Sequence, residues 1–245
     1  MTTATNRIAL VTGANKGLGY ETGRQLAQQS ILVLLGCRSA AKGRAAEKEL
    51  RKEGLAAEFI QLDVTKSDQV VKAAALIRKR FGKLDILVNN AGASFGENLF
   101  QNSTASVTGK ALRKTFDVNF FGLVELTQKL LPLIEKSEAG RIVNVSSILA
   151  SLAIHSKEGS LSYKPFAYDA SKTAVNAFTI HLAAALSGTN IKVNSAHPGW
   201  VRTDMGGPKA PLTPSEGAKT AVRLATLGPD GPTGKFFHGE EELPW

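Results

Sequence analysis

The stretch Ile8-Ala-Leu-Val-Thr-Gly-Ala-Asn-Lys-Gly-Leu-Gly19 joins a short apolar run to a loop that contains three glycines. A helical pattern follows, so the loop is predicted to connect a β-strand to an α-helix. Glycines at such a turn let the backbone approach a pyrophosphate, which lies at the positive end of the helix. The spacing is not the usual G-x-G-x-x-G, and a tight turn without a ligand is the alternative. The predicted nucleotide contacts of this loop are Gly13, Asn15, Lys16, Gly17, Leu18 and Gly19.

The rest of the chain alternates short runs of Val, Ile and Leu with longer helical stretches. Strands that alternate with helices form βαβ units, which give a parallel sheet with helices on both faces. We therefore predict one α/β domain over residues 1–245, with a doubly wound, Rossmann-type parallel sheet of about seven strands. The expected strands contain residues 8–11, 31–35, 59–62, 86–88, 142–145, 191–193 and 236–237. The capping box Thr213-Pro-Ser-Glu216 predicts where the last helix begins.

Composition limits the classes of protein that the chain can represent. Its 245 residues are 43% hydrophobic, yet no stretch approaches the roughly 18 uninterrupted apolar residues of a membrane span. A signal peptide is not expected either, and a cytoplasmic protein without a membrane partner is predicted. Cys37 is the single cysteine, so an internal disulfide is excluded, and we expect it to be a small strand residue. Four scattered histidines lack metal-ligand spacing, so no metal is predicted.

The net charge of +9 is compatible with nucleic acid, a membrane surface or an anionic small molecule. Most lysines and arginines lie among acidic residues in helical stretches such as 42–53, which is typical of solvated helix faces. We predict no nucleic-acid partner. A DNA-binding protein is the alternative, and a salt-dependent shift on DNA would reveal it.

The end of the second strand indicates which nucleotide binds. An acid there would bind both ribose hydroxyls and repel a 2′-phosphate, but the strand ends in Leu35-Gly-Cys-Arg38. Arg38 and Lys16, with Lys42 as a further candidate, place positive charge where a 2′-phosphate would lie. We predict NADP(H) as the cofactor; a merely exposed Arg38 is the alternative.

A tyrosine and a lysine lie four residues apart in the helical stretch FAYDASKTAVNAF, residues 166–178. Tyr168 and Lys172 therefore share one helix face. An ammonium near a phenol lowers the tyrosine pKa and makes it a usable proton donor near neutral pH. The spacing alone also fits two exposed neighbours without a function.

Further motifs follow in chain order: Leu62-Asp-Val64, Asn89-Asn-Ala-Gly92, Asp117-Val-Asn-Phe-Phe-Gly122, Val143-Asn-Val-Ser-Ser147, and Pro198-Gly199 followed by Thr203. Together with the glycine loop and Tyr168/Lys172, this ordered set resembles the short-chain dehydrogenase/reductase family along essentially the whole chain. Residues 198–209 and 234–237 most resemble the NADPH-dependent carbonyl reductases. The resemblance implies an oxidoreductase that reduces small aldehydes or ketones to alcohols.

The resemblance also implies four catalytic residues. Ser147 and Tyr168 would donate hydrogen bonds to the carbonyl oxygen as it becomes negative, and Tyr168 would deliver the proton. Lys172 would bind the nicotinamide ribose and lower the tyrosine pKa. Asn119 would hold a water that links Lys172 to solvent, with a structural hydrogen bond to the backbone as the alternative. Ser146 is adjacent, but strand alternation directs its side chain the opposite way.

Cofactor contacts are implied along the rest of the chain. Asp63 and Val64 would hold the adenine, and residues 201–203 would meet the nicotinamide amide. The full set outside the glycine loop is Arg38, Asp63, Val64, Asn90, Ala91, Gly92, Tyr168, Lys172, Pro198, Gly199, Val201 and Thr203.

Two segments are expected to form the substrate site. Residues 148–167 make the separation of Ser147 and Tyr168 longer than is usual in the family, and residues 205–214 form a loop rich in Gly and Pro. Phe95 and Trp200 are candidates for the substrate wall or for packing. The intermediate insertion leaves monomer and homo-oligomer both open. A steroid or sugar alcohol dehydrogenase and a non-catalytic NADP(H)-binding redox sensor are the alternative functions.

Overall fold

Eight strands form one sheet in residues 7–159 and 163–245, the part of the chain that the computed structural model describes. The strands are β1 (Ile8–Thr12), β2 (Leu32–Cys37), β3 (Ala57–Gln61), β4 (Ile86–Asn89), β5 (Arg141–Val145), β6 (Lys192–Ala196), β7 (Lys235–His238) and β8 (Glu241–Glu242). Their order is β3-β2-β1-β4-β5-β6-β7-β8, and all neighbours are parallel except β7 and β8. The doubly wound fold and its seven predicted strands are confirmed. The eighth strand was missed because two glutamates carry no apolar pattern.

Helices cover both faces of the sheet, as predicted. They are α1 (Gly17–Ala27), α2 (Ala40–Lys52), α3 (Ser67–Phe81), α4 (Gly109–Phe116), α5 (Gly122–Ile134), α6 (Leu152–His155), α7 (Phe166–Ala185) and α8 (Pro214–Ala225). Helices α1, α2 and α8 pack on one face, and α3, α5 and α7 on the other. The π-helical turn Asp117–Phe121 joins α4 directly to α5.

The central strand β1 shows why its sequence is apolar at every position. Ala9 and Val11 belong to the core under one helical layer, whereas Ile8 and Leu10 belong to the core under the other. A strand covered on both faces must bury both sets of side chains, so it lacks the alternation of a half-exposed strand. Each large apolar side chain buried in this way contributes about 1.5–3 kcal/mol.

The order in which strands are added to the sheet changes direction between β1 and β4, which are neighbours. The connection after β1 leads to β2 on one side and the connection after β4 leads to β5 on the other, so the loops at the carboxyl ends of β1 and β4 diverge and leave a crevice. The predicted capping box then starts α8 beside this crevice. Thr213 Oγ1 accepts a hydrogen bond of 3.2 Å from the main-chain nitrogen of Glu216, and Glu216 Oε2 accepts one of 2.8 Å from that of Thr213.

No helix in the described ranges is long and apolar enough to cross a membrane.

Candidate active site

A cleft with a volume of about 1120 Å³ opens at the carboxyl end of the sheet. Loops after β1, β2, β3, β4, β5 and β6 and the start of α7 line it. The structure brings nearly all of the sequence-predicted site residues to this cleft, including Phe95 and Trp200. Asn119 lies behind the wall, fully buried, and Lys42 is not among the lining residues.

The glycine loop closes tightly over the start of α1. Gly13 and Gly17 adopt φ of 66° and 56°, which side chains rarely tolerate. A Cβ at Gly19 would lie 2.4 Å from Asn90 Nδ2 and 2.6 Å from the Gly13 carbonyl oxygen. The unusual spacing thus has a packing reason, since Gly19 permits the contact between the loops after β1 and β4.

The beginning of α1 fits an anionic group. Lys16 occupies the N-cap position without a side-chain cap hydrogen bond, and the first turn holds no acidic residue. The main-chain N–H groups of this turn are therefore not capped by a side chain, and the helix dipole makes the site positive. Such a site suits the pyrophosphate of a dinucleotide.

The two cations predicted to bind a 2′-phosphate differ in their surroundings. Arg38 follows β2, is exposed in the cleft, and makes no ion pair within the described ranges. Lys16 forms an ion pair with Asp204, in the segment after β6. The sequence analysis did not include Asp204. Its pKa is lowered by the hydrogen bond and charge of Lys16, with Lys42 adding to the effect.

On the adenosine side, Asp63 Oδ1 accepts hydrogen bonds from the main-chain nitrogen and the hydroxyl of Thr65, at 3.0 and 2.7 Å. Asn90 Nδ2 donates a hydrogen bond of 2.8 Å to the Thr12 carbonyl oxygen. These bonds order the loops after β3 and β4 around the cleft. Both residues line it, as the resemblance implies.

Ser147, Tyr168 and Lys172 meet at the floor of the cleft. Tyr168 is the third residue of α7, and Lys172 follows one turn later on the same face. The hydroxyl of Ser147 lies within reach of the Tyr168 phenol, whose pKa it acts to lower. Lys172 Nζ lies 5.9 Å from the centroid of the Tyr168 ring. Three residues from two separate elements are therefore assembled as the sequence analysis predicts.

Burial dominates the pKa values of Tyr168 and Lys172. Burial raises the pKa of Tyr168 to about 12; the Ser147 hydrogen bond opposes this rise, and Asp169 adds to it. Burial also lowers the pKa of Lys172 to about 8. Loss of solvation disfavours the charged form of each group. Burial therefore dominates the pKa of Tyr168 and keeps the phenol protonated, whereas the lowering of that pKa by Lys172 stays a prediction.

Ser147 and not Ser146 faces the tyrosine. The Ser146 hydroxyl donates a long hydrogen bond of 3.5 Å to the main-chain carbonyl of Lys172. Ser147 Oγ accepts a hydrogen bond of 3.2 Å from the main-chain nitrogen of Leu149. Because this bond occupies the oxygen of Ser147 as an acceptor, the hydroxyl proton is free to point into the cleft.

Asn119 lies in the π-helical turn and braces the loop after β4. Its Nδ2 donates hydrogen bonds of 2.9 Å to the Ala93 carbonyl oxygen and to Ser171 Oγ, and its Oδ1 accepts one of 2.8 Å from the Ala93 nitrogen. The side chain thus makes the backbone hydrogen bonds that were considered as the alternative. A role in proton supply stays a prediction.

His197 is a site residue that sequence analysis missed. Burial lowers its pKa to about 3, with the nearby His238 contributing, so the imidazole is neutral. Its Nδ1 accepts hydrogen bonds from the main-chain nitrogens of Ile148 and Gly199, at 3.2 and 3.4 Å. The ring therefore joins the loop after β5 to the loop after β6. It directly follows β6, which extends beyond the predicted strand 191–193, and its place just before Pro198-Gly199 was the available signal.

Aromatic side chains form the outer wall of the cleft. The ring of Phe100 lies 6.4 Å from that of Tyr163 and 5.8 Å from that of Trp200, measured between centroids. Phe100 and Tyr163 were not predicted, although both lie in or beside the segments assigned to substrate. Phe100 is 55% exposed and Trp200 46%, so the wall has an accessible apolar surface.

The two predicted substrate segments are anchored at their ends. Residues 148–150 form a 3-10 turn and α6 follows; Ser151 Oγ and the Ala153 nitrogen both donate to the carbonyl oxygen of Trp245. Residues 160–162 of the predicted flap lie outside the described residues. The 205–214 loop is closed by a hydrogen bond of 2.8 Å from the Arg202 nitrogen to the Leu212 carbonyl oxygen.

In the part of the chain that the structure describes, neither a cluster of metal ligands nor a reactive thiol is present. Within residues 7–159 and 163–245, no three His, Cys, Asp or Glu side chains cluster as metal ligands. Cys37 is buried in β2, and burial raises its pKa to about 11, so the thiol is unreactive at neutral pH.

Comparison with known proteins points in the same direction as this geometry. The sequence profile of the family described as short chain dehydrogenase matches residues 7–211. Carbonyl reductase (NADPH) 1 of Bos taurus is 37% identical to this chain, with 99% of each protein covered. The carbonyl reductase of the same name from Homo sapiens is 36% identical, with 97% of this chain and 98% of that protein covered.

Solved structures share the fold as well. Salutaridine reductase from Papaver somniferum superposes with a TM-score of 0.83 at 31% identity, covering 94% of this chain and 99% of that one. An NADPH-bound carbonyl reductase from chicken fatty liver gives a TM-score of 0.84 at 26% identity, covering 98% and 99%.

Proposed function

Because the chain belongs to the short-chain dehydrogenase family and is an NADP-dependent oxidoreductase that acts on C=O and CH–OH groups, we propose that it reduces aldehydes and ketones to alcohols, with Tyr168 as the proton donor. The observation that carries this proposal is the convergence of Ser147, Tyr168 and Lys172 in the cleft, with the Ser147 hydroxyl within reach of the phenol and Lys172 Nζ 5.9 Å from its ring centroid. A substrate oxygen placed between the two hydroxyls would receive two hydrogen bonds.

The residues of this chain that would hold NADPH fit that cofactor. The uncapped start of α1 suits its pyrophosphate, and Arg38 suits its 2′-phosphate. NADPH supplies the hydride when bound. The relatives named above as NADPH-dependent carbonyl reductases support the same direction of reaction.

The protein groups would stabilise the charge that develops on the substrate oxygen. Ser147 and Tyr168 donate to that oxygen, so their bonds strengthen as it becomes negative. Tyr168 then transfers its proton. The phenolate left behind is stabilised by the Lys172 ammonium, 5.9 Å from the ring centroid. A phenol that is protonated at neutral pH is the form that a proton donor needs.

The wall of Phe100, Tyr163 and Trp200 favours substrates with an apolar body. Among the alternative dehydrogenases, an apolar steroid suits this wall better than a sugar, whose hydroxyls would lose water against apolar rings. We further propose a small-molecule partner and a cytoplasmic location. Monomer and homo-oligomer are both compatible with the insertion at 148–167.

The test is oxidation of NADPH, and of NADH as a comparison, with aromatic aldehydes, diketones, quinones, ketoesters, steroid ketones and sugars. We expect turnover that prefers NADPH and apolar carbonyls. Absence of turnover throughout, with NADPH still bound, would reject the reductase for these substrate classes and favour the redox sensor.

A further inference from the structure

The side chain of Glu97 contacts the N-terminus of α7, the helix that carries Tyr168. We propose that Glu97 is a positioning residue for Tyr168: its carboxylate caps the start of α7 from the loop after β4 and thereby fixes the phenol against Ser147. This inference rests on the proposed role of Tyr168 as the proton donor.

The start of α7 lacks a cap from its own sequence. Its N-cap residue is Pro165, which makes no side-chain cap hydrogen bond. The acid of the first turn, Asp169, directs Oδ2 toward His155 Nε2, at 3.5 Å. The first N–H groups of any helix have no partner within the helix, so those of α7 need acceptors from elsewhere.

Glu97 and Ser103 supply these acceptors. Glu97 Oε1 accepts a hydrogen bond of 3.0 Å from the Ala167 nitrogen, and Oε2 accepts one of 3.1 Å from the Tyr168 nitrogen. Ser103 Oγ accepts a bond of 3.0 Å from the Phe166 nitrogen and donates its own proton to Glu97 Oε1. Three consecutive N–H groups are thus bound by two side chains that are more than sixty positions away in the chain.

The carboxylate is suited to this position for two reasons. Hydrogen bonds to a charged acceptor are roughly twice as strong as neutral ones. A negative charge at the N-terminus of a helix also interacts favourably with the helix dipole. Glu97 is half-buried, which limits the competition from water.

The cap affects the position of Tyr168 as well as the stability of α7. One of the three N–H groups belongs to Tyr168 itself, while its partner Ser147 is carried by the loop after β5. If the first turn of α7 frays, the phenol moves relative to Ser147. A misplacement of about 1 Å at a reacting group can lower the rate roughly a hundredfold.

The same cap connects the catalytic tyrosine to the wall of the cleft. Glu97 lies between Phe95 and Phe100, which both line the cleft. The loop also pairs with the segment before α7, because the Ser103 nitrogen donates to the Lys164 carbonyl oxygen at 3.1 Å. A substrate that contacts this wall would therefore also contact the loop that positions Tyr168.

The experiment compares Glu97→Ala, Glu97→Gln and Ser103→Ala with the wild-type enzyme. For each we would measure kcat and KM for the carbonyl substrate, the NADPH dissociation constant by nicotinamide fluorescence, and the thermal midpoint. Single-turnover hydride transfer separates the chemical step from product release. We expect Glu97→Ala to lower kcat and the single-turnover rate roughly ten- to a hundredfold, with NADPH affinity changed less than about twofold.

The conservative variants test the hydrogen bonds themselves. Glu97→Gln keeps one oxygen acceptor, so it should recover a large part of the lost rate. Ser103→Ala should show the same pattern to a smaller degree, since it removes one of the three bonds. If Glu97→Ala does not fold, the single-turnover rates of Glu97→Gln and Ser103→Ala test the proposal instead. Asp68→Ala is the matched control, because Asp68 is an exposed acid in the first turn of α3, away from the cleft.

Wild-type single-turnover rates in folded Glu97→Ala or in both other variants would overturn the inference. A loss of rate matched by an equal loss of NADPH affinity would do so too. Tyr168→Phe, measured in parallel, separates this failure from that of the proposed function. If Tyr168→Phe is inactive while the Glu97 variants are fully active, only the positioning role is wrong; if Tyr168→Phe is fully active, the proton-donor role fails.

Discussion

Lys172 Nζ donates a hydrogen bond of 2.7 Å to the main-chain carbonyl oxygen of Val145, the last residue of β5. The lysine of α7 is thereby bound to the strand end that leads into Ser147. Lys172 is buried, with only 3% of its surface exposed. Lys172 thus both orients α7 against β5 and carries a buried charge, which is costly for folding.

Lys172→Met should change the pH dependence of stability. The folded pKa of Lys172 is lowered from 10.5 to about 8, so between these values the unfolded chain binds one more proton than the folded protein. Wild-type stability should therefore rise with pH in this window, by up to roughly 3 kcal/mol, and the variant should lack this contribution. Urea unfolding of both proteins from neutral pH to 10.5 measures it. A constant difference in stability would contradict the shift.

Tyr168→Phe should reduce carbonyl turnover by roughly two to four orders of magnitude, because the proton donor is removed. NADPH affinity should stay close to that of the wild type, since only a hydroxyl is lost. Tyr20→Phe, on α1 and outside the cleft, is the matched control. Steady-state kinetics with NADPH titration checks both expectations, and retained turnover would remove the proton-donor role.

Arg38→Asp should shift the preference from NADPH toward NADH. The change places a negative charge where the guanidinium would meet the 2′-phosphate, so the ratio of kcat/KM for NADPH over NADH should fall by roughly tenfold or more. The ratio is measured with one carbonyl substrate and both cofactors. An unchanged ratio would place the 2′-phosphate elsewhere.

Asp204→Asn should have the opposite effect on NADPH. Asp204 holds the Lys16 ammonium in an ion pair, which a 2′-phosphate would have to compete against. The variant frees Lys16, so NADPH should bind several-fold more tightly while NADH affinity stays unchanged. Fluorescence titration of both cofactors tests this. An equal gain for NADH would show that Asp204 acts on another part of the cofactor.

Arg141→Met should destabilise the fold without altering the site. Arg141 is 1% exposed, and its guanidinium donates to the carbonyl oxygens of Gly140, Asn190, Leu227 and Gly228 at 2.7 to 3.0 Å. The substitution leaves buried carbonyls without donors, which should cost about 3 kcal/mol or more.

The exposed pair of Arg80 with Glu58 provides the control for Arg141. Arg80→Met should cost less than about 1 kcal/mol, because exposed ion pairs contribute little. Denaturant unfolding compares the two variants, and similar losses in both would show that the carbonyl contacts of Arg141 are not important for stability.

Local patterns were enough to predict the sheet and much of the cleft. The strands are apolar because two helical layers bury both of their faces, and Gly13, Gly17 and Gly19 are required where one turn closes. Strand β8 escaped prediction, since Glu241 and Glu242 carry no apolar pattern and reach β7 through backbone pairing and the ion pair of Glu242 with Lys235. Lys42 does not line the cleft, although its charge acts on Asp204 there, so its contact with the 2′-phosphate stays a prediction.

What the sequence determined by itself is therefore the order of strands and helices, the nucleotide loop, and the helix face shared by Tyr168 and Lys172, because each depends on residues close together in the chain. The tertiary structure decided the pairing of Lys16 with Asp204, the cap that Glu97 places on α7, and the burial that raises the pKa of Tyr168 and lowers that of Lys172. These features join residues that are distant in the chain, or depend on how much water is excluded, and neither is encoded in local periodicity.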